Sequence, residues 1–274
     1  MAKKNLSFKT KLKTIQLENN SLLCVGLDSE TSKIPAKFKQ KKHPQFEFNK
    51  WIINQTHKNV CAYKINSAFY EAQGSQGFQE LERTIKYLTS NYPQIVTIAD
   101  FKRADIGNTN DGYVKGIFDH LGFDAVTLHP ILGSEALAPF LERIDKGCII
   151  LCRTSNPGAG ELQDQKINLG QKKIPLWQLI AQQVSQKWNK NDNCLLVVGA
   201  TYPKELKKVR KIVEEMDLLI PGIGAQGGDL KAVLEVGLNS QKRGLIISSS
   251  RGIIFADSPE KEARKLQAEI NGLR

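Results

Sequence analysis

The chain is short of acid. Its 274 residues carry 28 Asp and Glu against 39 Lys and Arg, a formal charge of +11. It also lacks long apolar runs. None approaches the roughly 20 residues that a membrane-spanning helix needs, so no membrane partner is expected. Aromatic residues make up only 7% of the chain, and few sit among the lysines. That removes the stacking platform on which single-stranded nucleic acid is held. The lysines are dispersed as well, in Lys41–Lys42, in Lys204, Lys207, Lys208 and Lys211, and in Lys261 and Lys265. They read as solvated faces; no nucleic-acid partner is expected, and the excess charge can steer a small anionic substrate.

Cysteine is sparse and odd in number: Cys24, Cys61, Cys148, Cys152 and Cys194. Most lie in apolar runs and no pair has metal-finger spacing, so neither a disulfide framework nor a cysteine metal site is expected. Buried, reduced thiols in a cytoplasmic protein are. Met1–Leu6 is basic but has no apolar core, so no secretory leader is expected. Among the four histidines, His129 reads as structural, and nothing suggests a Ser-His-Asp arrangement.

What the chain does have is repetition of type. Short apolar, β-branched runs occur at Ser21–Asp28, Cys61–Phe69, Gln94–Lys102, Phe123–Pro130, Gly147–Ser155, Asn193–Ala200, Leu218–Ala225 and Gly244–Ser250. Most are continuously hydrophobic, as in parallel strands covered on both faces. The segments between them carry helical spacing: Phe46–Val60, Phe78–Leu88, Asn108–Leu121, Ser134–Ile144, Leu176–Trp188, Lys204–Met216, Asp229–Leu238 and Ser258–Leu273. Eight βα units in this length predict an α/β protein, a single-domain (β/α)8 barrel over about residues 20–257 with an extra N-terminal helix within residues 1–18. An open doubly wound sheet is the alternative. Residues 29–45 and Asn156–Lys173 read as polar loops, the latter the least structured stretch of the chain.

In such a barrel the active site forms where strands end. The polar residues there are Asp28, Lys64 and Asn66, Asp100 and Lys102 with Asp105 close behind, His129, and Thr154–Asn156. Two glycine-bearing ends follow, Pro221–Gly228 and Ser248–Gly252. Asp100-Phe101-Lys102-Arg103-Ala104-Asp105-Ile106 is the most informative stretch. Side chains alternate along a strand, so Asp100 and Lys102 share one face, roughly 7 Å apart. Opposite charges on an inward face are costly unless they pair or act. One reading is a salt-bridge network at the barrel mouth. The other is a Lys102 ammonium kept cationic by Asp100 and Asp105, able to stabilise a developing carbanion and then protonate it. The glycine-bearing ends, with Gln226 and Arg251, predict a phosphate grip.

At this point the motifs become recognisable. CVGLD at 24–28, YKINSAFYEA at 63–72, DFKRADI at 100–106, TLHPILG at 127–133, LCRTSNPGAG at 151–160, VVGATYP at 197–203, PGIGAQGGD at 221–229 and SSRGI at 249–253 run in order through nearly the whole chain. Together they resemble the orotidine 5′-phosphate decarboxylases, most closely the type 2 subgroup. The resemblance implies loss of the C6 carboxylate of orotidine 5′-monophosphate as carbon dioxide, giving uridine 5′-monophosphate. It implies a homodimer without metal or organic cofactor. By motif position, Lys102 is the proton donor and Asp100 faces the substrate carboxylate. Lys64 and Asp28 contact the ribose, with Asn66 beside them. Asp105, Ile106 and Thr109 reach the neighbouring subunit's site. Ser155 meets the pyrimidine, and Pro221, Gln226, Arg251 and Gly252 surround the phosphate. Two alternatives remain: a Mg²⁺-dependent sugar-phosphate enzyme of the same superfamily, which needs an acidic ligand where this chain has Lys64, and a basic nucleic-acid binder.

Overall fold

The computed structural model describes residues 6–223 and 227–274. Eight strands close into a parallel barrel: β1 (Leu23–Gly26), β2 (Ala62–Asn66), β3 (Val96–Arg103), β4 (Ala125–Leu128), β5 (Gly147–Arg153), β8 (Cys194–Val198), β9 (Leu218–Pro221) and β10 (Leu245–Ser249). Each of the eight apolar runs holds a strand shorter than the run; β3 alone extends past it, by one residue to Arg103. The seam joins the first strand to the last, with Leu23 opposite Ile247 and Val25 opposite Ser249. Every residue of β1, β4 and β8 is buried. This is why the runs are continuously apolar: one face packs into the barrel and the other under the helices.

The expected helices form between the strands. Asp229 caps the helix Leu230–Gly237 by accepting the Ala232 N–H at 3.1 Å. Proline stands at the first position of Pro44–Thr56, Pro203–Val213 and Pro259–Gly272, where its missing N–H costs nothing. The helix Phe8–Glu18 buries Phe8, Leu12 and Ile15. It lies across the end of the barrel where strands begin. Phe8 occupies the space beside Gly147, the first residue of β5, where a Cβ would meet the ring at 2.8 Å. Gln16 donates to the carbonyl of Leu245 at 3.1 Å, and Lys11 pairs with Asp124 at 2.6 Å. The turn after this helix is held from the far end of the chain: Gln267 and Asn271 donate to the carbonyls of Asn19 and Asn20 at 2.7 and 2.9 Å. With that end plugged, the opposite mouth is the open one.

The segment Asn156–Lys173 departs from expectation. It holds a 3₁₀ turn at Pro157–Ala159, a short helix at Gly160–Gln163, and an antiparallel hairpin of β6 (Lys166–Leu169) and β7 (Lys172–Pro175). The hairpin turns at Gly170, whose φ of +60° suits a two-residue connection. Its strands alternate, Ile174 facing inward, over too few residues to stand out from a polar loop. The stretch 29–45 likewise contains a short helix, Ala36–Lys39.

Asp217 precedes β9 at the closed end. Burial pushes its carboxyl from 3.8 up to about 6, with Lys9 and Arg210 offsetting part of that rise. The Arg210 guanidinium is itself engaged by the carbonyls of Gly237, Met216 and Gly244 at 2.6–2.8 Å. A folded-state pKa above the unfolded one favours folding at low pH, and that advantage disappears as pH rises through about 6. Asp217→Asn is therefore expected to raise stability at pH 8, by up to ~3 kcal/mol, and to change it little at pH 4. Urea unfolding of both proteins at the two pH values checks this; equal differences at both would remove the titration as the cause.

Candidate active site

The open mouth holds a cavity of about 510 Å³. Its floor is made by the ends of β1 to β4. Lys64 on β2 reaches Asp100 on β3 at 2.9 Å and Asp28, just past β1, at 3.8 Å. Lys102 reaches the other Asp100 oxygen at 2.7 Å. Thr127 on β4 also donates to that oxygen, at 3.0 Å. The result is a line of alternating charge, Asp28, Lys64, Asp100, Lys102, across three neighbouring strand ends.

These charges set each other. Burial works against the Lys64 ammonium, but Asp100 and Asp28 outweigh it and raise its pKa. Burial likewise works against the Asp100 carboxylate, and Lys64 and Lys102 outweigh it, holding the group well below the usual carboxylate range. Asp100 is thus ionised whenever the protein is folded near neutrality. One oxygen of Asp28 is buried and has no hydrogen-bond partner among the described residues; it is the oxygen that faces Lys64 at 3.8 Å. Cys24 lies beside this array, but burial pushes its thiol up to about 12, which leaves no nucleophilic thiolate at neutral pH. All five cysteines are buried free thiols.

Lys102 has an unusual backbone. Its φ is +48° and that of Ala104 is +115°, the region that L-residues rarely adopt. The cause lies in the pairing of β3 with β4. Ala99 pairs with Val126 and Arg103 with Leu128, so four steps on β3 oppose two on β4. The bulge lifts Lys102 out of the ladder, and its side chain is half exposed. Its N–H, denied a strand partner, donates to the Thr127 hydroxyl at 3.0 Å.

The opposite wall comes from the ends of β5, β8, β9 and β10. Ser155 lines it, packed so tightly against Gly199 that a Cβ there would meet the Ser155 Cβ at 2.6 Å. The loop behind Ser155 is pinned by Arg153, which is 2% exposed. Its guanidinium stacks on Tyr202 at 3.7 Å and pairs with Asp164 at 2.9 Å. Gln163 completes the loop by accepting the Thr154 N–H at 2.9 Å, and it lines the cavity. Arg251 stands at the rim as the first residue of a short helix, exposed and without an ion pair among the described residues.

Of the residues expected from sequence, the cavity gathers Asp28, Lys64, Asn66, Asp100, Lys102, Ser155, Pro221 and Arg251. Others stand apart. Asp105 lies in an adjoining depression that Lys102 also lines, with Arg103, Tyr113 and His129, and its carboxylate accepts the Ile106 N–H at 2.8 Å. Within the chain Lys102 is ion-paired with Asp100, and no ion pair joins it to Asp105 among the described residues. Ile106 and Thr109 are exposed beyond it, and Gly252 faces a neighbouring groove. Gln226 lies outside the described residues. Thr127, Arg153 and Gln163 were not anticipated. An inward threonine at a strand end resembles any β-former, and Gln163 sits in the stretch read as loop.

A family model described as orotidine 5′-phosphate decarboxylase / HUMPS family matches residues 21–266. The orotidine 5′-phosphate decarboxylase of Cellvibrio japonicus is 44% identical over 271 residues, covering 98% of this chain and 97% of that protein. That of Dehalococcoides mccartyi is 47% identical over 260 residues, covering 94% and 93%. Among solved structures, Leishmania donovani OMP decarboxylase superposes with a TM-score of 0.86 at 37% identity, covering 98% of this chain and 99% of that one. Leishmania donovani UMP synthase gives 0.88 at 38%; this chain spans 56% of that longer one.

The charge array makes a prediction independent of substrate. Lys64→Met leaves Asp28 and Asp100 buried without the cation between them, an expected loss of about 3 kcal/mol at pH 7. Without Lys64 the Asp100 carboxyl loses one of the cations that hold it low, so protonation relieves part of the loss at pH 4. Urea unfolding at both pH values reads the difference; the same loss at each would mean packing, not charge, is responsible.

Proposed function

The chain belongs to the orotidine 5′-phosphate decarboxylase / HUMPS family, and on that premise we propose that it converts orotidine 5′-monophosphate to uridine 5′-monophosphate and carbon dioxide. It is a carboxy-lyase of pyrimidine biosynthesis. The observation that carries the reading is the Lys64–Asp100–Lys102 array, closed at 2.9 and 2.7 Å on the floor of the cavity.

The substrate spans the cavity from that floor to the rim. Its phosphate meets Arg251, whose planar guanidinium suits two-point contact with an oxyanion. A ribose hydroxyl donates to the Asp28 carboxylate, which lines the cavity together with Lys64 and Asn66. Ser155 meets the pyrimidine. The C6 carboxylate then comes to rest beside Asp100, which stays ionised between its lysines. At about 4 Å and an effective dielectric near 20, the repulsion is on the order of 4 kcal/mol. It is relieved as the C6–carboxylate bond breaks, the electron pair staying on C6 as carbon dioxide leaves. Stabilisation of that pair by the Lys102 ammonium is the larger effect, because charge there develops only in the transition state. Lys102 then gives its proton to C6. No step calls on a metal or an organic cofactor.

That Asp105 makes no ion pair with its own Lys102 among the described residues supports a homodimer with shared sites. Asp105 and Thr109 of one subunit reach the cavity of the other. Ile106, Ile131 and Leu132, all exposed on that side of the chain, supply apolar surface for the contact.

Three experiments test this reading. EDTA-treated protein should convert orotidine 5′-monophosphate, followed by its ultraviolet change. Lys102→Ala should abolish turnover while holding uridine 5′-monophosphate within a few-fold of wild type; retained turnover would remove Lys102 as the acid. Asp105→Asn and Lys102→Ala, each inactive alone, should recover activity when mixed, since a heterodimer contains one intact shared site. No recovery once subunit exchange is demonstrated would argue against sharing.

A further inference from the structure

We infer that Thr127 is a positioning residue for the Lys102 ammonium, its one hydroxyl holding both the left-handed backbone of Lys102 and the Asp100 carboxylate. The inference rests on the reading of Lys102 as proton donor. Thr127 is 1% exposed and sits on β4 where the β3 ladder is broken. Its contacts fix their own direction. The Lys102 N–H can only donate, so the Thr127 oxygen accepts it at 3.0 Å. The hydroxyl hydrogen then goes to the Asp100 oxygen, at 3.0 Å and charged, ahead of the neutral Ala99 carbonyl at 3.5 Å, and an ionised carboxylate can only accept. That same carboxylate oxygen receives the Lys102 ammonium at 2.7 Å. Thr127, Asp100 and Lys102 therefore close a ring of contacts through both the main chain and the side chain of Lys102.

The ring addresses a specific difficulty. A lysine at φ +48° is strained, and such a conformation persists only where its surroundings over-determine it. Without the hydroxyl, the Lys102 N–H loses its acceptor and the backbone is free to relax. The ammonium then leaves the position from which it reaches both Asp100 and the substrate. A misplacement of about 1 Å at a reacting group lowers rate on the order of a hundredfold.

The test compares Thr127→Val, which keeps shape and loses the hydroxyl, with Thr127→Ser, which keeps the hydroxyl. Thr127→Val should lower kcat roughly 10- to 100-fold, with KM and uridine 5′-monophosphate affinity within a few-fold of wild type. Thr127→Ser should restore kcat to within a few-fold. A Thr127→Val enzyme with unchanged kcat, or a Thr127→Ser enzyme equally slow, overturns the inference. Crystal structures of the two variants supply a readout without turnover: in Thr127→Val, Lys102 should leave the left-handed region and lengthen its contact with Asp100, and in Thr127→Ser it should not. Unchanged geometry in Thr127→Val overturns the inference as well. Wild-type protein that does not decarboxylate orotidine 5′-monophosphate would instead overturn the functional reading, leaving the latch to be judged by those structures.

Discussion

One buried carboxylate organises the mouth of this barrel. Asp100 receives donors from three strands: Lys64 from β2, Lys102 from its own β3, and Thr127 from β4. A charge taken out of water needs such company. Each donor in turn is committed by serving Asp100, so the ends of β2, β3 and β4 are tied to a common point. Asp28 extends the pattern to β1 through Lys64. Coulombic pairing, bulge and left-handed backbone are parts of one arrangement, in which a lysine is paired with Asp100 and stands half exposed at the edge of a cavity.

The second half of the mouth uses different means. Around Ser155 the fold relies on close approach, at Gly199, and on a buried arginine stacked on Tyr202. Here an ion pair, a π-face and glutamine hydrogen bonds hold a loop instead of a strand end. This division suits the chemistry. On the proposed reading, the reacting side needs charges fixed to rigid strands, while the side proposed to meet the base and phosphate can be built on loops and loop-anchored helices.

Much of this was legible in the residues. The eight strands announced themselves because each is buried on both faces, and the charged ends of β1, β2 and β3 stood out against that background. What was hidden was whatever depends on local backbone departures. Nothing in Lys102 itself signals φ +48°, and strict alternation alone would have paired Asp100 and Lys102 for a different geometric reason. Asp105 was recognisable as an acid near the site, but the positive φ just before it belongs to Ala104, a residue with no polar signature. The hairpin of Lys166–Leu169 and Lys172–Pro175 was too short to rise above its polar composition. Thr127 was invisible because its importance comes from the broken ladder beside it.

The seam of the barrel also bears on how the chain is made. The helix Phe8–Glu18 and the turn after it are secured by Leu245, Gln267 and Asn271, the contact between Asn19 and Gln267 spanning 248 residues. At a synthesis rate of roughly 5–20 residues per second, tens of seconds pass before those partners leave the ribosome. Through that interval Phe8, Leu12 and Ile15 form an apolar stripe with no barrel to plug. The nascent chain thus carries this apolar segment uncovered while the barrel strands are still being made, and the turn behind it is fastened only once the helix Pro259–Gly272 has been made.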